Sequence, residues 1–316
     1  MLAIIIPYYK YTFLKDTLKS LANQTDKRFT VYIGNDASPE NPHELIEEFK
    51  GQMSIVYKSF SENLGGTSLV LQWKRCLALV QNEEWIQILG DDDMISSNFV
   101  ASFYEAFPKI EQYGAEVIRW STYVVNEKGV QTSKQFVHPE KETAVDFFER
   151  KFSKKTRSSL SEYVFKKATV LEKGFQPFNL AWHTDDMAVF EFSNNQSIYS
   201  INTAYVSVRV SKLNITGDSQ HYVAKNKGTF QFMEYLFHNY SYVFSTKQKQ
   251  ILLKKLEMAY YNIPSYKRWI KVNKLYYNAL GIYGTFDFLF RNFKTGVAKV
   301  LKRVHVFNTV KRLTAK

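Results

Sequence analysis

Apolar and polar positions along the first 125 residues fall into two alternating patterns. Leu2-Ala3-Ile4-Ile5-Ile6 is apolar at every step, as a strand buried on both faces must be, and Pro7-Tyr8-Tyr9 closes the run. The following stretch, Tyr11 to Gln24, carries Leu14, Leu18 and Leu21 at helical spacing. Thr30 to Gly34 reads as a second strand, Leu45, Ile46 and Phe49 as a second helix, and Ser54 to Tyr57 as a third strand. Leu69, Trp73, Leu77 and Val80 mark a third helix before the strand Trp85 to Leu89. The pattern is therefore β-α-β-α-β-α-β with short connections, which predicts an α/β domain: a mostly parallel sheet flanked by helices and joined by right-handed crossovers.

Beyond that point the signal thins. Phe99, Phe103, Phe107 and Ile110 mark a helix entered near Ser96-Ser97-Asn98, and Glu116 to Val125 reads as a strand closed by the turn Asn126-Glu127-Lys128-Gly129. Residues 140–180 mix a helix over Ala144 to Phe152, a basic polar loop over Ser153 to Ser159 and a short strand near Tyr163 to Phe165. A lid beside a ligand site and a plain surface insertion both fit this stretch. Ser197 to Val210 alternates like a strand.

The apolar strand Trp85 to Leu89 ends abruptly in Gly90-Asp91-Asp92-Asp93. Three adjacent acids are too costly to bury without a cation among them, so they belong at the strand's exit. In an open parallel sheet that exit is where ligands bind, which makes the acids candidates for a divalent cation and the phosphates it carries. A solvated acidic turn leading into the next helix is the alternative. A second acidic pair, Asp185-Asp186, leads into the apolar stretch Met187 to Phe190, where capping accounts for one acid and not for two.

Composition changes the picture at one place. The 316 residues carry a net charge of +12, yet residues 245–316 hold 16 Lys and Arg against Glu257 and Asp287, leaving the first 244 residues at −2. That asymmetry predicts a domain of residues 1–220 followed by a basic, mainly helical region of residues 221–316. From Arg291 to Phe307 the residues Phe293, Val297, Val300, Val304 and Phe307 recur at helical steps, with Arg291, Lys294, Lys299 and Lys302 on other faces. A basic amphipathic helix of this kind suits an anionic membrane surface, and equally suits packing on the main domain. The uncharged run Leu275 to Phe286 is 12 residues long and falls short of the roughly 20 that a spanning helix needs. The single cysteine, Cys76, and the lack of a basic, cleavable leader suggest a cytoplasmic location, with peripheral attachment to the inner face of the membrane if the tail binds lipid.

A reaction that moves a sugar from a nucleoside diphosphate would use both acidic clusters. The departing diphosphate needs a metal held by carboxylates, and the incoming hydroxyl needs a separate carboxylate to take its proton. Ile4-Ile5-Ile6-Pro7-Tyr8-Tyr9, Leu18 to Thr25, Asn35-Asp36-Ala37-Ser38, Asn63-Leu64-Gly65 and Leu89-Gly90-Asp91-Asp92-Asp93 follow one another in an order that resembles the family 2 glycosyltransferases. Their Rossmann-like fold is called GT-A. The resemblance is good over residues 1–125 and moderate over 180–216, and it is of the non-processive type, because Gln-x-x-Arg-Trp is missing.

The resemblance implies that Pro7, Tyr8 and Asp36 hold the nucleoside, with Asn35 standing where the family has a further acid. It aligns Gly90 with the first acid of Asp-x-Asp-Asp, which puts metal and diphosphate duties on Asp92 and Asp93, with Asp91 as a substitute ligand. Lys74 falls where the family often keeps an Arg facing the nucleotide. Asp186 aligns with the catalytic base, Asp185 being the alternative within the pair, and Arg209 and Ser211 resemble the family's Arg-x-Ser. The implied function is single, inverting transfer from a UDP-sugar or related donor, with Mn²⁺ or Mg²⁺, to a glycan or lipid-linked glycan of a cell-surface polysaccharide. His183 reads as structural. Two other classes remain: a nucleotidyltransferase, for which the sequence lacks a glycine-rich phosphate loop, and a degenerate transferase whose basic tail binds lipid or, less in keeping with the acids, nucleic acid.

Overall fold

The first apolar run forms β1 (Leu2–Tyr8), in which all residues but Pro7 are buried. Helix α1 (Leu14–Ala22) buries Leu14, Leu18 and Leu21, the stripe its spacing implies, and leads to β2 (Phe29–Asn35), buried along its whole length. A short α2 (His43–Glu47), β3 (Ser54–Ser59), α3 (Leu69–Leu77) and β4 (Trp85–Ile88) complete the alternation. The chain then passes through β5 (Met94–Ile95), α4 (Phe99–Gln112), β6 (Val117–Val125), β7 (Lys141–Glu142), α5 (Ala144–Phe152), β8 (Tyr163–Lys166), α6 (Lys167–Lys173), α7 (Thr184–Phe192) and β9 (Ile198–Arg209). Three helices follow: α8 (Tyr222–Tyr240), α9 (Thr246–Asn262) and α10 (Tyr266–Thr314). This computed structural model describes residues 1–194 and 196–314, with side chains described as far as residue 294.

The strands build one sheet in the order β3-β2-β1-β4-β8-β6-β9-β5, with β7 paired to β9. β1 lies between β2 and β4 and runs parallel to both, with Tyr8 level with Asn35 and Ile5 level with Ile88. The chain winds outward through β2 and β3, then returns to the other side of β1 as β4. Strand order thus reverses at β1, and the exits of β1, β2 and β4 share one edge, where such sheets bind ligands. The parallel expectation holds for β1 to β4, and beyond them the sheet is mixed, with the two-residue strands β5 and β7 both antiparallel to β9. β8 wedges between β4 and β6 antiparallel to both, and β9 runs parallel to β6. The short strand read near Tyr163 is therefore a central element.

Aromatic packing fixes one layer of helices on the sheet. Phe99 of α4 stacks on Trp120 of β6 at 4.2 Å between ring centres, and Phe103 meets Trp85 of β4 edge to face at 5.8 Å. Each such fully buried ring contributes about 1.5–3 kcal/mol. β6 also brings Arg119 into the interior, where its guanidinium donates to Glu162 at 2.8 Å and pairs with Glu142 at 3.3 Å, and Arg150 of α5 completes the group on Glu142. Removing one member would strand a buried charge.

The chain divides into two compact units, Met1–Phe232 and Met233–Lys316, and the division falls inside α8. In the second unit α9 begins with a capping box, Ser245 accepting from the Gln248 amide while the Gln248 side chain accepts from that of Ser245. α10 is broken at Gly281, whose φ of +68° is open to glycine at little cost. The side chains of Val297, Val300, Val304 and Phe307, on which the amphipathic tail reading rests, lie outside the described residues. No described helix is long and apolar enough to cross a membrane.

Candidate active site

At the exit of β2, Asp36 is buried and its carboxylate accepts from the Leu64 amide at 2.9 Å and the Gly65 amide at 2.8 Å. A Cβ at Gly65 would stand 2.4 Å from the Asp36 Oδ2, so the Asn63-Leu64-Gly65 turn needs glycine to approach that closely. Arg75 of α3 reaches the same carboxylate and also donates to the Glu62 carbonyl at 2.7 Å, its guanidinium lying 4.0 Å from the Phe60 ring centre. Lys74, the expected nucleotide contact, is on the exposed face of α3. The cation beside Asp36 is Arg75, one residue on. Tyr8 ends β1 close by, its hydroxyl donating to the Glu40 carbonyl at 2.8 Å, and burial pushes its pKa up to about 12. Asn35 donates to the Tyr57 hydroxyl and accepts from the Ser38 amide, which shapes the turn in place of an acid.

The three aspartates at the exit of β4 are aimed in three directions. Asp91 accepts from the amides of Tyr9 and Lys10 at 2.9 and 2.8 Å, tying the end of β1 to the end of β4. Asp93 is buried and accepts from the Arg209 amide at 2.8 Å and from the Ser161 hydroxyl. Asp92 lies between them, half-buried, with one oxygen bonded to the Asn214 side-chain amide at 3.1 Å. Its other oxygen lies over Gly90, where an added Cβ would stand 2.9 Å away. An acid at Gly90 would therefore displace Asp92, and glycine leaves it room. Asp91 takes both amides on Oδ2, while Asp93 accepts on both of its oxygens, from Arg209 on one and Ser161 on the other. Asp92 is the carboxylate left nearest to solvent.

Charge is poorly balanced here. Burial, and then the charge of Asp92, push Asp91 up to about 6 and Asp93 up to about 7; burial likewise raises Asp92. Carboxylates that ionise reluctantly because they are buried side by side fit a divalent cation. Among the described residues no three His, Cys, Asp or Glu side chains form a cage. The donor set fits a cation held by one or two carboxylates and otherwise by substrate phosphates, the usual Mg²⁺ arrangement.

Arg209 organises the surroundings. It is buried, donates from its backbone amide to Asp93 and from Nε to the Asp92 carbonyl at 3.0 Å, and reaches Asp16 and the Glu127 carbonyl. Ser211, the other half of the Arg-x-Ser resemblance, accepts from the Leu213 amide at 3.1 Å.

The second acidic pair opens α7 after a bent approach in which Leu180, Ala181 and His183 all have positive φ. Asp186 is fully buried between Lys151 of α5 and the His183 Nδ1, at 2.6 Å from the latter. Burial alone would raise its pKa, but Lys151 and His183 outweigh that and hold it well below the usual carboxylate range. Asp185 is half-buried, enters no ion pair among the described residues, and has the Asp186 backbone amide as a hydrogen-bond donor to its carboxylate. Burial and the charge of Asp186 push it up to about 7. His183 stacks on Phe232 at 4.9 Å between ring centres and braces Asp186.

Residues 3–172 match the family model described as Glycosyl transferase family 2. The chain belongs to glycosyl transferase family 2. Glycosyltransferase GlyG of Streptococcus pneumoniae serotype 4 is 23% identical over 128 residues, which is 40% of this chain and 40% of that protein. The chain thus aligns with less than half of that relative's length. Among solved structures, S. aureus TarS 1–349 in complex with UDP-GlcNAc has a TM-score of 0.62 at 14% identity, covering 88% of this chain and 81% of that one. A longer S. aureus TarS structure has a TM-score of 0.53 at 16% identity, covering 90% and 52%. At such identities the likeness is one of fold, a mixed α/β sheet of the GT-A type.

Within this family 2 chain, four contacts of the acidic clusters and of Asp36 escaped the sequence. Arg75 stands beside the residue that was chosen. Ser161 and Lys151 lie 68 and 35 residues from the acids they touch, inside the stretch with the weakest pattern. Asn214 follows Ser211 by three residues, close enough that the Arg-x-Ser likeness could have pointed to it.

Proposed function

We propose that this family 2 glycosyltransferase moves one sugar from a nucleoside-diphosphate donor, UDP-linked in the first instance, to a hydroxyl of a glycan or lipid-linked glycan, inverting the anomeric centre. A role in cell-surface polysaccharide synthesis goes with that reading. The observation that carries it is a pair of acidic clusters of opposite electrostatic character, both influenced by one turn. The turn at Leu160–Glu162 links them: Ser161 bonds Asp93, and the charge of Glu162 is felt at Asp185.

In this reading the nucleoside lies at the exits of β1 and β2 against Pro7, Tyr8 and Asp36, with Arg75 in the role first given to Lys74. The diphosphate lies over Asp91, Asp92 and Asp93. A divalent cation, Mn²⁺ or Mg²⁺, would be held there by Asp92 with help from Asp91 or Asp93, and when bound it neutralises the charge that grows on the leaving diphosphate. Asp185 takes the proton of the acceptor hydroxyl as that oxygen bonds to the anomeric carbon and the bond to the diphosphate breaks. Asp186, expected as the base, is engaged on both oxygens, while Asp185 is only half-buried, in no ion pair among the described residues, and pushed up to about 7, near the pH where a general base works best. The UDP-GlcNAc complex of a protein of the same fold supports the donor class.

The test is donor hydrolysis and transfer by the purified chain across a panel of nucleotide sugars, with Mn²⁺ and with EDTA, and with the product anomer read by NMR. Metal-dependent cleavage giving an inverted product is expected. Turnover of no nucleotide sugar under either condition would overturn the reading.

A further inference from the structure

We propose that the helix hairpin turning at Gly281 inserts its tip, residues 275–286, into the interfacial layer of an anionic membrane. The inference rests on the second unit alone and holds whether or not the donor reading is correct.

Geometry first shows that the segment is a hairpin. Tyr276 and Phe288 are 12 positions apart, about 18 Å along a straight helix, yet their rings stack at 4.9 Å and 13°. Arg291 Nη2 also donates to the Tyr276 hydroxyl at 3.2 Å. α10 therefore folds back at Gly281. Val272, Tyr276 and Phe288 are buried on the inner side, where Phe288 also meets Tyr260 at 6.2 Å.

The tip is apolar and outward. Tyr277 is 60% exposed, Ile282 55%, Tyr283 87% and Phe286 62%, and no charged residue occurs from Leu275 to Phe286. Large exposed apolar groups gathered at one turn mark a contact surface. Exposed lysines flank it: Lys274 before the run, where Lys271 is also exposed but paired with Glu234 at 2.8 Å, and after it Lys294, whose Nζ lies 4.4 Å from the centre of the exposed Phe290 ring.

Charge selects the occupant. Residues 245–316 carry a net +14, and their two acids, Glu257 and Asp287, are both paired with Arg291. A second copy would bring an equally positive surface to the same contact, at a repulsive cost. An anionic bilayer supplies the opposite charge for the lysines, an apolar layer for Ile282 and Phe286, and the headgroup region that tyrosine favours. Twelve residues cannot span a bilayer, so the tip dips in and returns.

The experiment sediments the full-length chain with vesicles of phosphatidylcholine alone and with 30% phosphatidylglycerol, roughly the anionic content at which polybasic surfaces respond. Binding is expected only to the anionic vesicles and should weaken at high salt. Tyr283→Ser with Phe286→Ser should lower it at least about tenfold, with an unchanged melting temperature because both side chains are exposed. Lys274→Gln with Lys294→Gln should reduce binding by a smaller factor and flatten its salt dependence. Sedimentation velocity of the same proteins without lipid covers the other occupant. No binding of the intact chain to either vesicle, binding indifferent to Tyr283→Ser with Phe286→Ser, or self-association abolished by that variant would each overturn the proposal.

Discussion

At the exit of β4 three carboxylates crowd together with backbone amides, a serine and an asparagine as their nearest donors, and two of them are pushed up to about 6 and about 7. At the start of α7 the opposite has been done: a lysine and a histidine close on Asp186 and hold it ionised in a fully buried place. Both clusters are runs of aspartate in sequence. The difference teaches that adjacent acids acquire their roles from the cations the fold does or does not deliver. In the first cluster no lysine or histidine closes on a carboxylate and burial raises all three acids, as the proposed cation site requires. In the second, a lysine and a histidine hold Asp186 as an anion, and burial and that charge push its neighbour Asp185 up to about 7.

The comparison would break most visibly on removal of the metal. Excess EDTA should abolish transfer, by about 10³-fold or more, with recovery on adding Mn²⁺ or Mg²⁺, and Asp92→Asn should mimic the chelator more closely than Asp91→Asn. Undiminished turnover in EDTA would mean that the first cluster is not a cation receptor. Next in size, Asp185→Asn should lower the transfer rate by about 10²–10⁴-fold while UDP binding, measured by calorimetry, stays within about twofold. If Asp186→Asn retains its fold and loses transfer while Asp185→Asn works normally, the two acids have been assigned the wrong way round.

A third prediction sharpens the contrast through stability. Lys151→Met leaves Asp186 buried with His183 alone, and should cost roughly 3 kcal/mol, the low end for breaking a buried pair, because one partner remains. At about 2.1 cal/mol/K of unfolding entropy per residue, that is a fall in melting temperature of roughly 4–6 °C for a chain of this length. Combining Lys151→Met with Asp186→Leu should recover most of the loss, since no buried charge is then left unpaired. Equal melting temperatures for wild type and Lys151→Met would show that the ion pair is not part of the folded state.

The parallel half of the sheet was legible because β1, β2 and β4 are apolar at nearly every position and the helices between them carry clear stripes. β8 was not, as a central strand: its four residues follow a polar loop, and only pairing with β4 and β6 gives them their place. Choosing between Lys74 and Arg75 shows a different limit. The residues α3 buries are Gln72, Trp73, Cys76 and Leu77, and at about 100° per residue the centre of that arc lies equally far from positions 74 and 75. Periodicity could not decide; contact with Asp36 does. Arg75→Met should accordingly raise the KM for the donor about tenfold, and Lys74→Met should leave it within about twofold. The hairpin at Gly281 was hidden for a similar reason, since a glycine inside an apolar run interrupts a possible span without showing which way the chain turns.

The smallest effect tests the contrast between Asp185 and Asp186 most directly. Asp185 must be deprotonated to act, so the rate should rise with pH along a limb centred near the value of about 7 to which burial and Asp186 push it. Lys151 opposes that push, because a nearby positive charge favours the ionised carboxylate. Taking the charge away in Lys151→Met should therefore move the limb to higher pH, by roughly a unit or less for one charge at a partly solvated distance. Lys151→Arg keeps the charge and should leave the limb where it is. A limb that shifts equally in both variants would trace the effect to altered packing of α5, and a shift to lower pH in Lys151→Met would contradict the sign on which the assignment of Asp185 depends.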